Sequence, residues 1–140
     1  MFLTKDELKT AGVPEVIAKV TNGDDTIITN VIEESIDDMK GYLNANFDAV
    51  AIFNTIGDDR NKTVLKYLKK IVIYELYKRK GNLLDDDTIT SYDDAMAWLK
   101  NVAKGIISPH NLPAKSPGEN STSGDGFIKF GSNTKYSTGY

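Results

Sequence analysis

Between Asn61 and Lys80 the apolar side chains recur at helical spacing, yet they do not keep to one face. Val64, Leu65, Leu68, Ile71, Val72 and Leu76, together with Tyr67, Tyr74 and Tyr77, occupy more than one face of the turn. A helix this apolar around its circumference is normally buried by more than a single neighbour. The rest of the chain therefore has to supply several elements that pack around it. Asn61 is the expected cap and Gly81-Asn82 the expected stop. Lys78, Arg79 and Lys80 fall in the expected last turn, where cations complement the helix dipole.

Two further stripes supply partners. From Thr26, the residues Ile28, Ile32, Ile36, Met39 and Leu43 recur with a 3.6-residue period, widened by Ile27 and Val31. Glu33, Glu34, Asp37 and Asp38 fill much of the other face, which predicts an amphipathic helix over 26–43. Its β-branched residues lower helix propensity, but their period excludes a strand. A third stripe, Ala95, Trp98, Leu99 and Val102, predicts a helix over 91–104 with Gly105 as its stop. Ahead of these, Thr4 and Glu7 form a capping box for a short helix near Lys5–Thr10. Gly12 ends that helix, and Pro14 opens a second one that reaches about Val20. Asn22-Gly23 reads as a turn, followed by a cap at Asp24 or Asp25. Asn44 to Gly57 reads as a linker with an apolar cluster at Phe47, Val50, Ile52 and Phe53. The fold class is all-α: a small helical bundle over residues 1–105.

After Gly105 the composition changes. Twenty of the 35 residues from Ile106 to Tyr140 are Gly, Pro, Ser, Thr or Asn, too polar a mixture to bury a core of its own. Residues 106–140 are therefore read as a long, extended C-terminal arm that leaves the body and docks on a partner. Within it, Gly126-Phe127-Ile128-Lys129-Phe130-Gly131 is a short strand candidate, and adding a strand to an exposed edge is a known recognition mode.

Residue types exclude several functions. The chain has no cysteine, which removes disulfides, thiolate nucleophiles and Cys-ligated metals. Its one histidine, His110, sits between Pro109 and Asn111 without an acidic or serine partner at motif spacing. Asp85-Asp86-Asp87 lacks the ligand at Ile89, the glycine at Thr90 and the late glutamate of a calcium loop, and so reads as a solvated loop. Asp93 and Asp94 read as first-turn acids of the last helix. Gly118, Gly124 and Gly126 lack the strand-before, helix-after setting of a phosphate loop, and Asn120-Ser121-Thr122 has no secretory context as a glycosylation acceptor. No apolar run reaches membrane-spanning length. The expectation is a small, cytosolic, non-enzymatic protein with no catalytic site, no metal and no cofactor.

Charge is unevenly placed. The formal net charge is −3, but residues 1–59 carry four lysines against twelve acids, and residues 60–80 carry eight basic residues against Glu75 alone. Segregation of this kind suits docking on complementary charge, including copies of the same chain. Lys62, Lys66, Lys69 and Lys70, interleaved with Tyr67 and Tyr74, also fit phosphate contacts. A dedicated duplex binder normally has a basic pI, whereas this chain's is about 5.1. A small DNA-binding or regulatory helical protein is therefore the alternative reading.

Several runs together resemble a known family. They are Phe2-Leu3-Thr4-Lys5-Asp6-Glu7-Leu8, Gly57-Asp58-Asp59-Arg60, Tyr92-Asp93-Asp94-Ala95 through Trp98-Leu99-Lys100, Gly105, Leu112-Pro113 and Gly131-Ser132-Asn133 with Lys135. The chain resembles the small proteins of the head-completion region of Mu-like phages and prophages, long catalogued as a domain of unknown function. It departs from them at Ser91, where a basic residue is expected, and in its Tyr136–Tyr140 ending. The resemblance implies a head–tail connector, made in the bacterial host cytoplasm and located in the virion. It implies a homo-oligomeric ring, typically twelve-fold, between the portal protein and the tail or its stopper or terminator. DNA would pass through without sequence-specific binding, and no membrane is involved. A ring needs two different complementary surfaces on each subunit. The expected pair is Glu33, Glu34, Asp37 and Asp38 against Lys66, Lys69, Lys70 and Tyr74. Phe127, Ile128, Phe130, Lys135, Tyr136 and Tyr140 are the expected partner-binding residues of the arm.

Overall fold

The computed structural model describes residues 1–115. Six α-helices follow one another: α1 (Lys5–Ala11), α2 (Pro14–Thr21), α3 (Asp25–Leu43), α4 (Ala49–Phe53), α5 (Lys62–Tyr77) and α6 (Asp86–Ala103). Two short 3₁₀ turns, Gly57–Asp59 and Gly81–Leu83, flank α5. Among the described residues the only β pairing is one antiparallel bridge between Phe47 and Ala114.

Local chemistry accounts for most of the boundaries. Thr4 caps α1, and the Glu7 side chain returns the bond to the Thr4 backbone. Pro14 opens α2, which ends at Asn22 in the left-handed region at φ 54°, with Gly23 following at φ 75°. Asp24 caps α3 and Asn61 caps α5, the latter accepting from both Thr63 and Val64 amides. Each cap satisfies an amide that the first turn leaves without a helical partner.

Helix α5 lies at the centre, packed against α1, α2, α3 and α6. Val64, Leu68, Ile71, Val72, Ile73, Leu76 and Tyr77 are all buried, as the multi-faced apolar pattern requires. The largest surface of α5 goes to α6, through Tyr67 stacked on Trp98 at 4.7 Å and Tyr74 stacked on Tyr92 at 3.9 Å. Phe2 closes one end of the core, edge-on to Phe53 at 4.9 Å.

Three expectations need correction. The 44–57 segment is not all linker: Asp48 caps the one-and-a-half-turn helix α4, which buries Ala49, Ile52 and Phe53. Helix α6 begins at Asp86, five residues earlier than its apolar stripe suggests. Asp85 is its cap, accepting from the Thr88 amide at 2.8 Å, with Asp86 and Asp87 in the first turn. The acidic run is thus a helix start rather than a loop, and Asp93 and Asp94 lie mid-helix. Finally, residues 106–115 do not leave the body. Ile107 and Leu112 pack on the core, and the Asp48 amide donates to the Pro113 carbonyl at 2.8 Å. The strand candidate at 127–130 lies outside the described residues.

Candidate functional site

The lysines of α5 owe their setting to how far the first two helices reach. Helices α1 and α2 pack on α5, and toward its C-terminal end Gly12 leaves room for Ile73 while the Tyr77 hydroxyl accepts from the Val13 amide at 2.9 Å. A Cβ on Gly12 would lie 2.5 Å from the Ile73 Cδ1 atom, so the approach is close because residue 12 has no side chain. Beside Ala11 one face of α5 is left uncovered. A groove of about 580 Å³ opens there, with Leu65 and Ile73 as apolar lining and Lys62, Lys66, Lys69 and Lys70 along one side. Asp85, Asp87, Thr88 and Ser91, from the start of α6, form the other side.

None of these four lysines has an ion-pair partner within 4 Å among the described residues. Three of the other four basic residues of the stretch are engaged. Arg60 binds Glu7, Lys78 pairs with Glu75 at 3.0 Å, and the Arg79 guanidinium donates to the Val20 carbonyl. Lys66 and Lys70 place their ammonium groups 4.7 and 5.4 Å from the Tyr67 ring centre. Cation–π contacts of this kind steady a charge without neutralising it.

The acids of α3 lie elsewhere. Glu33, Glu34, Asp37 and Asp38 are all exposed, opposite the buried stripe of Ile28, Ile32, Met39 and Leu43. Glu34 and Asp38 border a smaller groove of about 320 Å³ that also contains Lys78 and Arg79. Asp37 pairs loosely with Lys40 at 3.6 Å. No residue lines both this groove and the lysine groove. The two charged regions named from sequence are therefore separate surfaces of one body. Tyr74 lines neither groove: its half-buried ring is stacked on Tyr92 and flanked by Lys78. Burial pushes the Tyr92 hydroxyl above its ordinary value, with Glu75 and Tyr74 adding to the effect, so the phenol stays neutral. Phe127, Ile128, Phe130, Lys135, Tyr136 and Tyr140 lie outside the described residues.

A further feature, absent from the sequence reading, joins two of the resembling runs. Glu7 and Arg60 form a two-pronged ion pair with 2.7 and 2.9 Å bonds, and Arg60 also donates to the carbonyls of Phe2 and Gly57. The hydrogen bonds from Arg60 hold the Glu7 carboxyl down to about pH 2, reinforced by Thr4. The capping box was the visible half of this arrangement; its partner 53 residues away was not. Beside it, a groove of about 530 Å³ runs between Asp58–Thr63, Trp98 and the Pro109–Pro113 segment. His110 lies on its rim, exposed.

Among the described residues, no group of three His, Cys, Asp or Glu side chains is placed to hold a metal ion, and no helix is long and apolar enough to cross a membrane. No curated protein and no solved structure matches the chain significantly. A family model does: the one described as Bacteriophage Mu, Gp36 matches residues 2–128, which takes in the whole helical body and the start of the C-terminal segment. The chain belongs to this phage protein family.

Proposed function

We propose that the chain is a non-enzymatic structural protein of the virion, a head–tail connector that assembles as a ring between the portal protein and the tail. The observation that carries this reading is the charge layout. One small body presents a lysine-lined groove and an acidic helix face on separate surfaces, the arrangement that head-to-tail contact between copies requires. Membership of a phage family supplies the setting. Residues 116–140 supply a segment whose composition needs a host surface. In this role the ring encloses DNA without reading its sequence, and no cofactor or membrane takes part.

The alternative, a DNA-binding module, draws on the same four lysines. The opposite side of their groove carries Asp85 and Asp87, which repel phosphates and favour a partner of mixed charge. Native mass spectrometry of the chain alone and with a portal protein tests the proposal. A ring-sized species, alone or on the portal, is the expected result; a monomer in both conditions contradicts it.

A further inference from the structure

The lysine groove and the α3 face both lack a sufficient partner inside the subunit. Four lysines oppose two aspartates across the groove, and none of the four is paired within 4 Å among the described residues. On α3, Glu33 and Glu34 are exposed without an ion pair, and Asp37 has only the 3.6 Å contact to half-buried Lys40. Excess charge of each sign therefore remains on different sides of the molecule.

We propose that the groove lined by Lys62, Lys66, Lys69 and Lys70 receives the acidic face of α3 from a second copy of this chain. This rests on the ring reading above and names the surfaces that the ring would use.

Dimensions and chemistry favour this occupant over others. At 1.5 Å rise per residue the lysines extend about 12 Å along α5, and the acids from Glu33 to Asp38 about 8 Å along α3. Two helices laid side by side bring all four carboxylates within reach of the lysine row. The exposed side of α3 bears no bulky side chain beyond these acids: Asn30 precedes them, and Gly41, Asn44 and Ala45 follow. It can therefore approach closely, and nothing lies within 4 Å of where a Cβ on Gly41 would stand. Leu65 and Ile73 then lose solvent in the groove. Asp85 and Asp87 exclude a continuous polyanion but leave room for the one cation on this part of α3, Lys40, at the end of the acidic run. Contact between different surfaces propagates from copy to copy, so it builds a ring or a filament rather than a symmetric pair. Charge complementarity of this type sets register and suppresses wrong pairings more than it adds affinity.

The test uses two full-length variants. Lys66→Glu with Lys70→Glu makes the groove acidic, and Glu33→Lys with Asp37→Lys takes the four-residue face from −4 to neutral, or +1 with Lys40. Glu34 and Asp38 are left alone because they border Lys78 and Arg79. Neither variant alone keeps opposite net charges at the contact, so analytical ultracentrifugation at low salt should show loss of the wild-type assembly. Mixed one to one, the acidic groove meets the basic face and the unchanged groove meets the unchanged face, so assembly should return. Recovery in the mixture also shows that both variants are folded. The proposal is overturned if either variant assembles as the wild type does, or if the mixture remains dissociated. It is also overturned if the Lys66/Lys70 variant loses binding to a fluorescent 30-base-pair duplex while assembly is unchanged. In each of these cases the connector reading survives as long as the wild type forms a ring. A wild-type chain that stays monomeric alone and with a portal protein removes both.

Discussion

The two halves of α5 share one helix and one pattern, yet they meet different surroundings. From Ile71 to Tyr77 nearly every face is covered, by α1 and α2 on one side and by α3 and α6 on the others. From Lys62 to Lys70 Val64 and Leu68 are just as buried, but one face carries four lysines and lies open. Coverage by neighbours, not helix propensity, decides which half is core and which is surface. The lysine-bearing face of the first half stays open beside Ala11, where α1 ends and the chain turns at Gly12 toward Tyr77.

The largest expected difference between the halves comes from truncation. Leu76→Ala removes a fully buried side chain and should cost about 3 kcal/mol, within the usual range for buried leucines. Leu65→Ala, at the half-buried edge of the groove, should cost about 1 kcal/mol. Urea denaturation of the two variants measures the contrast, and equal losses would show that the halves are equally packed.

Next in size is the junction where α1 meets the covered half. Tyr77→Phe leaves the Val13 amide without its acceptor and should cost about 1–2 kcal/mol. Gly12→Ala should cost about as much through crowding of Ile73, whose flexible end can move partly aside. Gly12 has an ordinary extended backbone, φ −119°, so the cost reports packing rather than backbone strain.

The clamp ahead of the open half gives a pH signature. The Glu7 carboxyl is held at about 2 when folded, against an ordinary 4.5. A depressed folded value contributes stability above the unfolded pKa and loses it as pH falls from about 4.5 toward 2. With allowance for its partial exposure, Glu7→Gln should cost about 1–2 kcal/mol at pH 7. The gap between wild type and variant should close near pH 2, as followed by thermal melts across pH. A constant gap at all pH values would place the cost in the capping box alone.

Among the smallest effects, Lys66→Glu with Lys70→Glu should change folding stability by about 1 kcal/mol, because neither lysine is ion-paired and their contacts to the Tyr67 ring are the internal ones lost. A loss above about 2 kcal/mol would mean that the row is held by internal contacts.

Sequence and structure diverge along the same lines. Caps at Thr4, Asp24 and Asn61 and the turns at Asn22-Gly23 and Gly105 were legible because each depends on one or two adjacent residues. The central position of α5 was legible from its multi-faced apolar pattern. Helix α4 was not, since five residues cannot display a period. The start of α6 was misplaced because its first two turns carry few apolar residues and their acids resemble a loop. Of the candidate surfaces, the signs and helix faces were visible, while their separation was not: it depends on where α1 ends and on how α3 and α6 pack on α5. The stacking of Tyr74 on Tyr92 was hidden for the same reason, since the two rings come from different helices. The Glu7–Arg60 clamp spans 53 residues and has no local signature.

The central claim is that the open half of α5 faces α3 of another copy. Zero-length carbodiimide cross-linking of a one-to-one mixture of ¹⁴N- and ¹⁵N-labelled full-length chains tests it directly, read by mass spectrometry of the assembled fraction. The account predicts mixed-isotope cross-links joining Lys62, Lys66, Lys69 or Lys70 to Glu33, Glu34, Asp37 or Asp38. Cross-links from those lysines only to Asp85 or Asp87 of the same isotope, in chains that are nonetheless assembled, would contradict it.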